Sequence, residues 1–106
     1  MRVLFDQGTP APLRAHLADH SISTAFECGW SELTNGELLD AAEREGFEVL
    51  VTTDSNLKHQ QDLGIRSLAI IVLLSTSWPR IQKAVPSVVE AIRSSAPGRC
   101  TEVSIP

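Results

Sequence analysis

The stretch Phe47–Asn56, reading Phe-Glu-Val-Leu-Val-Thr-Thr-Asp-Ser-Asn, limits what this chain can fold into more than any other segment. Val49 to Thr53 are aliphatic or β-branched without interruption, and no polar residue alternates with them. A strand with one face in water alternates; a strand covered on both faces does not, and parallel sheets flanked by helices are where such strands occur. The run stops at Asp54, and in open α/β sheets ligands bind beyond the carboxyl ends of the strands. The first residues repeat the arrangement on a smaller scale, with Val3, Leu4 and Phe5 running into Asp6.

A chain of 106 residues is expected to form one domain, residues 1–106, large enough to bury a core without staples. The formal charge of −4 argues against the broad electrostatic grip of a basic nucleic-acid-binding domain, so any nucleic acid must be held locally or through a metal. Met1 to Phe5 offers too few apolar residues for a leader peptide, and the longest apolar run, Leu68 to Leu74, is too short to span a bilayer. These features predict a cytoplasmic protein with no membrane contact. Cys28 and Cys100 have no Cys or His beside them at zinc-ligand spacing, and are expected as free, half-buried thiols.

The expected element order is strand, helix, repeated to a fifth strand. Arg2–Phe5 is the first strand; Thr9 then suits an N-cap and Pro10 the first position of a helix reaching Leu17. Ile22–Phe26 reads as a second strand. Thr34-x-x-Glu37 opens a helix with Leu38, Ala41 and Ala42 on one face and Asp40, Glu43, Arg44 and Glu45 pointing away, stopped by Gly46. After Asp54 a short polar helix is expected from Ser55 to Leu63, then a buried strand over Leu68–Leu74. A helix whose buried face is marked by Ile81, Val85, Val88, Val89 and Ile92 should be kinked or divided at Pro86 before an edge strand from Cys100 to Ile105. The economical architecture is a three-layer α/β/α sandwich around a mostly parallel sheet of about five strands.

Asp6 and Asp54 at strand ends and Glu37 in a first helical turn are the candidate catalytic and metal-ligating residues. Carboxylates that gather in one pocket usually hold a hard divalent cation, here Mg²⁺ or Mn²⁺, which can neutralise charge on a phosphodiester and activate water without a Ser, Cys or His nucleophile. Each acid also has a structural alternative. Glu37 completes a capping box with Thr34, and Asp54 can cap the helix that follows; Asp6 has less need to cap if Thr9 does so. Lys58 and His59 are candidate substrate contacts, although Lys58 to Gln61 also reads as a solvated helix face. Trp30 and Trp78 are expected to pack rather than to stack on bases.

Val-Leu-Phe-Asp-Gln, Thr-Asn-Gly-Glu-Leu-Leu and Val-Leu-Val-Thr-Thr-Asp-Ser-Asn-Leu, in that order and spacing, resemble the small stand-alone PIN-like domains over nearly the whole chain. That resemblance implies an endoribonuclease hydrolysing phosphodiester bonds of single-stranded RNA with Mg²⁺ or Mn²⁺, in the setting of a toxin–antitoxin pair with a cognate antitoxin protein. It assigns Asp6, Glu37 and Asp54 as the acids. The sequence departs from the pattern at Asn35 and Asn56, where such domains often carry further aspartates; these amides become auxiliary oxygen donors, and a weakened or inactive interaction module on the same fold becomes the alternative. A homodimer would lengthen a surface otherwise short for RNA. A phosphoacceptor domain of receiver type would need a paired acid after the first strand, where Gln7 stands, and a Lys after a later strand, where Ser75-Thr76-Ser77 stand.

Overall fold

The computed structural model describes all 106 residues. In chain order the elements are β1 (Arg2–Phe5), a 3₁₀ segment (Ala11–His16), β2 (Ser21–Thr24), α1 (Asn35–Arg44), β3 (Val49–Thr52), α2 (Leu57–Gln60), a second 3₁₀ segment (Leu63–Ile65), β4 (Ala69–Leu73), α3 (Trp78–Lys83), α4 (Val85–Arg93) and β5 (Cys100–Val103). The five strands form one wholly parallel sheet in the order β2-β1-β3-β4-β5.

Unbroken apolarity in β3 and β4 has the expected cause, since every residue of both strands is buried. Alternate residues feed two cores. Val3, Phe5, Val49, Val51, Ile71 and Leu73 pack under the first 3₁₀ segment, α3 and α4. Leu4, Leu50, Ile70 and Val72 pack under α1, α2 and the second 3₁₀ segment. This is the α/β/α sandwich. Three crossovers share one hand, whereas the β4-to-β5 connection takes the opposite one, because it steps the same way along the sheet as its predecessor but over the other face. With α3 and α4 on that face, Val51, Ile71 and Leu73 are covered by more than a single 3₁₀ turn.

The capping box of α1 is fully formed: Thr34 Oγ1 accepts the Glu37 N–H and Glu37 Oε1 accepts the Thr34 N–H. Gly46 stops that helix region at a φ of 81°, where a Cβ would be strained. The helix containing Pro86 is divided, with α3 ending and α4 starting on either side of Ala84. Both cysteines are free and half-buried.

Other boundaries moved. Thr9 does not cap a helix; the N-cap is Pro10, without a side-chain bond, and the segment is 3₁₀ rather than α. The second strand begins at Ser21 and ends at Thr24, with Ala25 to Gly29 forming a turn. The helix expected over Ser55–Leu63 is reduced to α2 and a separate 3₁₀ turn. Val89, expected on the buried face of the helix after Pro86, is exposed, because that face of α4 is set by Val88 and Ile92. Glu43 does not point away: it is half-buried and accepts hydrogen bonds from Arg66 and from the Ser67 N–H and hydroxyl, tying α1 to the start of β4.

Candidate active site

The chain leaves β1 for its outer neighbour β2, then returns past β1 to β3, so the strand order reverses between β1 and β3. That switch point is where open α/β sheets form a crevice beyond the strand carboxyl ends. Asp6 immediately follows β1 and Asp54 stands two residues after β3, so the topology brings both acids to this point.

Asp6 is densely hydrogen-bonded. Its Oδ1 accepts from the backbone N–H groups of Gly8 and Thr9, each at 3.1 Å, and from the Thr9 hydroxyl at 2.8 Å. Its Oδ2 accepts from the Thr52 hydroxyl. Thr52 Oγ1 in turn accepts the Asp54 N–H at 3.0 Å, so one buried hydroxyl links the Asp6 carboxylate to the main chain of Asp54. The Thr9 hydroxyl also lies 2.8 Å from the Val51 carbonyl, giving its single proton two acceptors. Protonation of Asp6 would supply the missing hydrogen. Burial pushes the Asp6 carboxyl above its ordinary value, while the Thr52, Thr9 and Gly8 donors pull the other way.

Asp54 is held more loosely. Its Oδ1 accepts the Asn56 N–H at 2.9 Å, and its Oδ2 accepts the Asn35 side-chain amide at 3.2 Å. The same Asn35 nitrogen donates to Gln60 Oε1 at 2.9 Å. Asn35 thus meets Asp54 with its amino group, and Asn56 meets it with the backbone. The helix after Asp54 is capped at Asn56, so Asp54 serves as a turn acceptor rather than as its N-cap.

Glu37 is exposed and occupied by its capping box, whose Thr34 N–H holds its carboxyl below the ordinary value. No three His, Cys, Asp or Glu side chains lie close enough together to hold a metal ion. Lys58 pairs with Glu102 of β5 at 3.1 Å, and His59 is exposed. Trp30 packs edge-on against Phe47 and Trp78 against His16. A groove of about 600 Å³ lies away from these acids between α4 and β5.

Two participants were not read from the sequence. Thr52 was legible only as a strand residue, and Thr9 only as a cap; the Thr-x-Asp spacing was the available signal for the first. No protein-family model, curated protein or solved structure matches the chain, so the site is read from its own chemistry.

The donor chemistry suits a hard cation, since Asp6 and Asp54 offer carboxylate oxygens and nothing softer. Mg²⁺ retains several waters and is commonly held through one or two carboxylates together with substrate phosphate oxygens. The switch point supplies two carboxylates, those of Asp6 and Asp54.

Proposed function

We propose that this protein is a PIN-like, metal-dependent endoribonuclease that hydrolyses phosphodiester bonds of single-stranded RNA. The observation that carries the reading is that Asp6 and Asp54 both follow strands at the switch point, with the Thr52 hydroxyl bonded to the Asp6 carboxylate and to the Asp54 main-chain N–H. Asp6 and Asp54 are the proposed ligands of Mg²⁺ or Mn²⁺. A bound ion of this kind supplies Lewis-acid stabilisation of phosphoryl oxygens and a water of lowered pKa. Thr52 and Thr9 hold the Asp6 carboxylate in one orientation, and Asn35 does the same for Asp54 Oδ2. Glu37, in its cap, contributes to the fold of α1.

A second reading, a catalytically silent interaction module, is favoured by one observation: Asp6 already accepts four protein hydrogen bonds and Glu37 is engaged in its cap, which leaves a lean donor set. No helix is long and apolar enough to cross a membrane. A cytoplasmic toxin controlled by an antitoxin protein, acting as a homodimer, is the setting we attach to the nuclease reading.

The test is cleavage of labelled single-stranded RNAs in Mg²⁺ and in Mn²⁺, with EDTA and Asp6→Asn as controls. Cleavage confined to wild type with metal supports the nuclease. Absence of cleavage supports the interaction module instead, and equal cleavage by the variant overturns the assignment of Asp6.

A further inference from the structure

The molecule contains five aromatic residues of the Phe and Trp types, and four are accounted for by packing. Phe5 and Phe47 are buried, Trp30 lies against Phe47, and Trp78 lies against His16. Phe26 is 78% exposed. It stands just beyond the carboxyl end of β2, the strand beside β1, at the same end of the parallel sheet as Asp6. The ladder continues to that point, because the Ala25 N–H donates to the Phe5 carbonyl at 2.8 Å. Phe26 is therefore the next residue along from the neighbour of the Phe5-Asp6 peptide.

The turn that carries it is braced rather than loose. The Thr24 N–H donates to Glu27 Oε1 at 2.9 Å and the Glu27 N–H donates to Thr24 Oγ1 at 3.1 Å. Glu27 Oε2 pairs with Arg14 at 2.9 Å. The N–H groups of Cys28, Gly29 and Trp30 bond to the carbonyls of Thr24, Phe26 and Ala25. Such a turn fixes the backbone from which the apolar ring projects into water. In a chain with a formal charge of −4, where Arg14 and Lys58 are already paired with acids, phosphate contacts supply little grip. Stacking of bases on an aromatic face supplies affinity that tolerates any sequence.

We infer that Phe26 is a stacking platform for an unpaired nucleobase of a single-stranded RNA bound across the carboxyl end of β1, an inference that rests on the nuclease reading above. Its ring takes one base adjacent to the phosphodiester presented to Asp6 and Asp54.

The experiment is fluorescence anisotropy with a labelled oligouridine and an abasic ribose-phosphate oligomer of the same length, in EDTA so that metal-dependent cleavage is stopped. Wild type, Phe26→Ala and Phe26→Tyr are compared. Phe26→Ala should weaken oligouridine binding by roughly 10- to 100-fold, Phe26→Tyr should retain it, and the abasic oligomer should bind all three proteins alike. Equal oligouridine affinity for wild type and Phe26→Ala, an equal loss for both oligomers, or no oligouridine binding by wild type overturns the inference. The nuclease reading fails separately, if oligouridine binds in the Phe26-dependent way yet is not cut when Mg²⁺ or Mn²⁺ is restored.

Discussion

Thr52 reaches across from β3 and donates its hydroxyl hydrogen to Asp6 Oδ2 at the end of β1. Thr52 Oγ1 itself accepts the Asp54 N–H, so the third strand holds the Asp6 carboxylate and the Asp54 backbone at once. Thr52 is buried, and its partners Asp6 and Asp54 are half-buried. Thr52→Val keeps the shape and removes both bonds. Leaving buried polar groups unpaired costs about 1–3 kcal/mol, which urea denaturation should read as a lower midpoint with an unchanged slope. Unchanged stability would show that the hydroxyl bridge is dispensable.

Asp6 gives the protein a distinctive pH response. Because burial raises its folded pKa above the ordinary 3.8, the native state holds this proton more tightly than the unfolded chain. Its contribution to stability is full below 3.8 and is lost as pH rises through the raised folded value. Glu43 works in the opposite sense: burial raises it, but the Arg66 and Ser67 hydrogen bonds bring it below its ordinary value, so its contribution is lost as pH falls. Comparing Asp6→Asn with wild type isolates the first effect. The variant should gain stability relative to wild type as pH increases from about 4. A relative gain by wild type over that range contradicts the raised value.

Gly8 is fixed by its neighbour across the loop. A Cβ at Gly8 would lie 2.5 Å from Thr53 Oγ1, so the Gln7-Gly8 turn closes against that hydroxyl with no room for a methyl group. Gly8→Ala should destabilise by about 1–3 kcal/mol through overpacking. Thr53→Ala removes the clashing oxygen and should restore most of the loss when combined with it. A double-mutant cycle in which the two changes simply add would show that the contact is not tight.

The layers of this fold were legible in the sequence because burial on both faces leaves a direct mark. Val49–Thr52 and Ala69–Leu73 lost their alternation, Pro86 announced a divided helix, and Thr34-x-x-Glu37 announced a capping box. The strand order left no such mark, because which strand lies beside β1 depends on how the crossovers pack and not on local pattern. Thr9 illustrates the cost. By local chemistry it is a good N-cap, but pairing of Phe5 with Val51 brings the Val51 carbonyl within reach, and the hydroxyl turns to that carbonyl and to Asp6. Asp6 and Asp54 were visible as strand-end acids. That Asn35 offers Asp54 its amino group, and that Glu43 finds Arg66, depends on contacts between distant segments.

On the proposed nuclease reading, Asp6 and Asp54 together hold one divalent cation. Mn²⁺ titration followed by the electron paramagnetic resonance signal of the free ion tests it without requiring a substrate. Wild type should bind one Mn²⁺ per chain, Asp54→Asn and Asp6→Asn should each weaken binding by about 10- to 100-fold as expected for loss of a carboxylate ligand, and Glu37→Gln, which retains the capping box, should bind as wild type does. No Mn²⁺ binding by wild type, or binding that both aspartate variants preserve, would contradict the assignment and leave the interaction module as the reading of this fold.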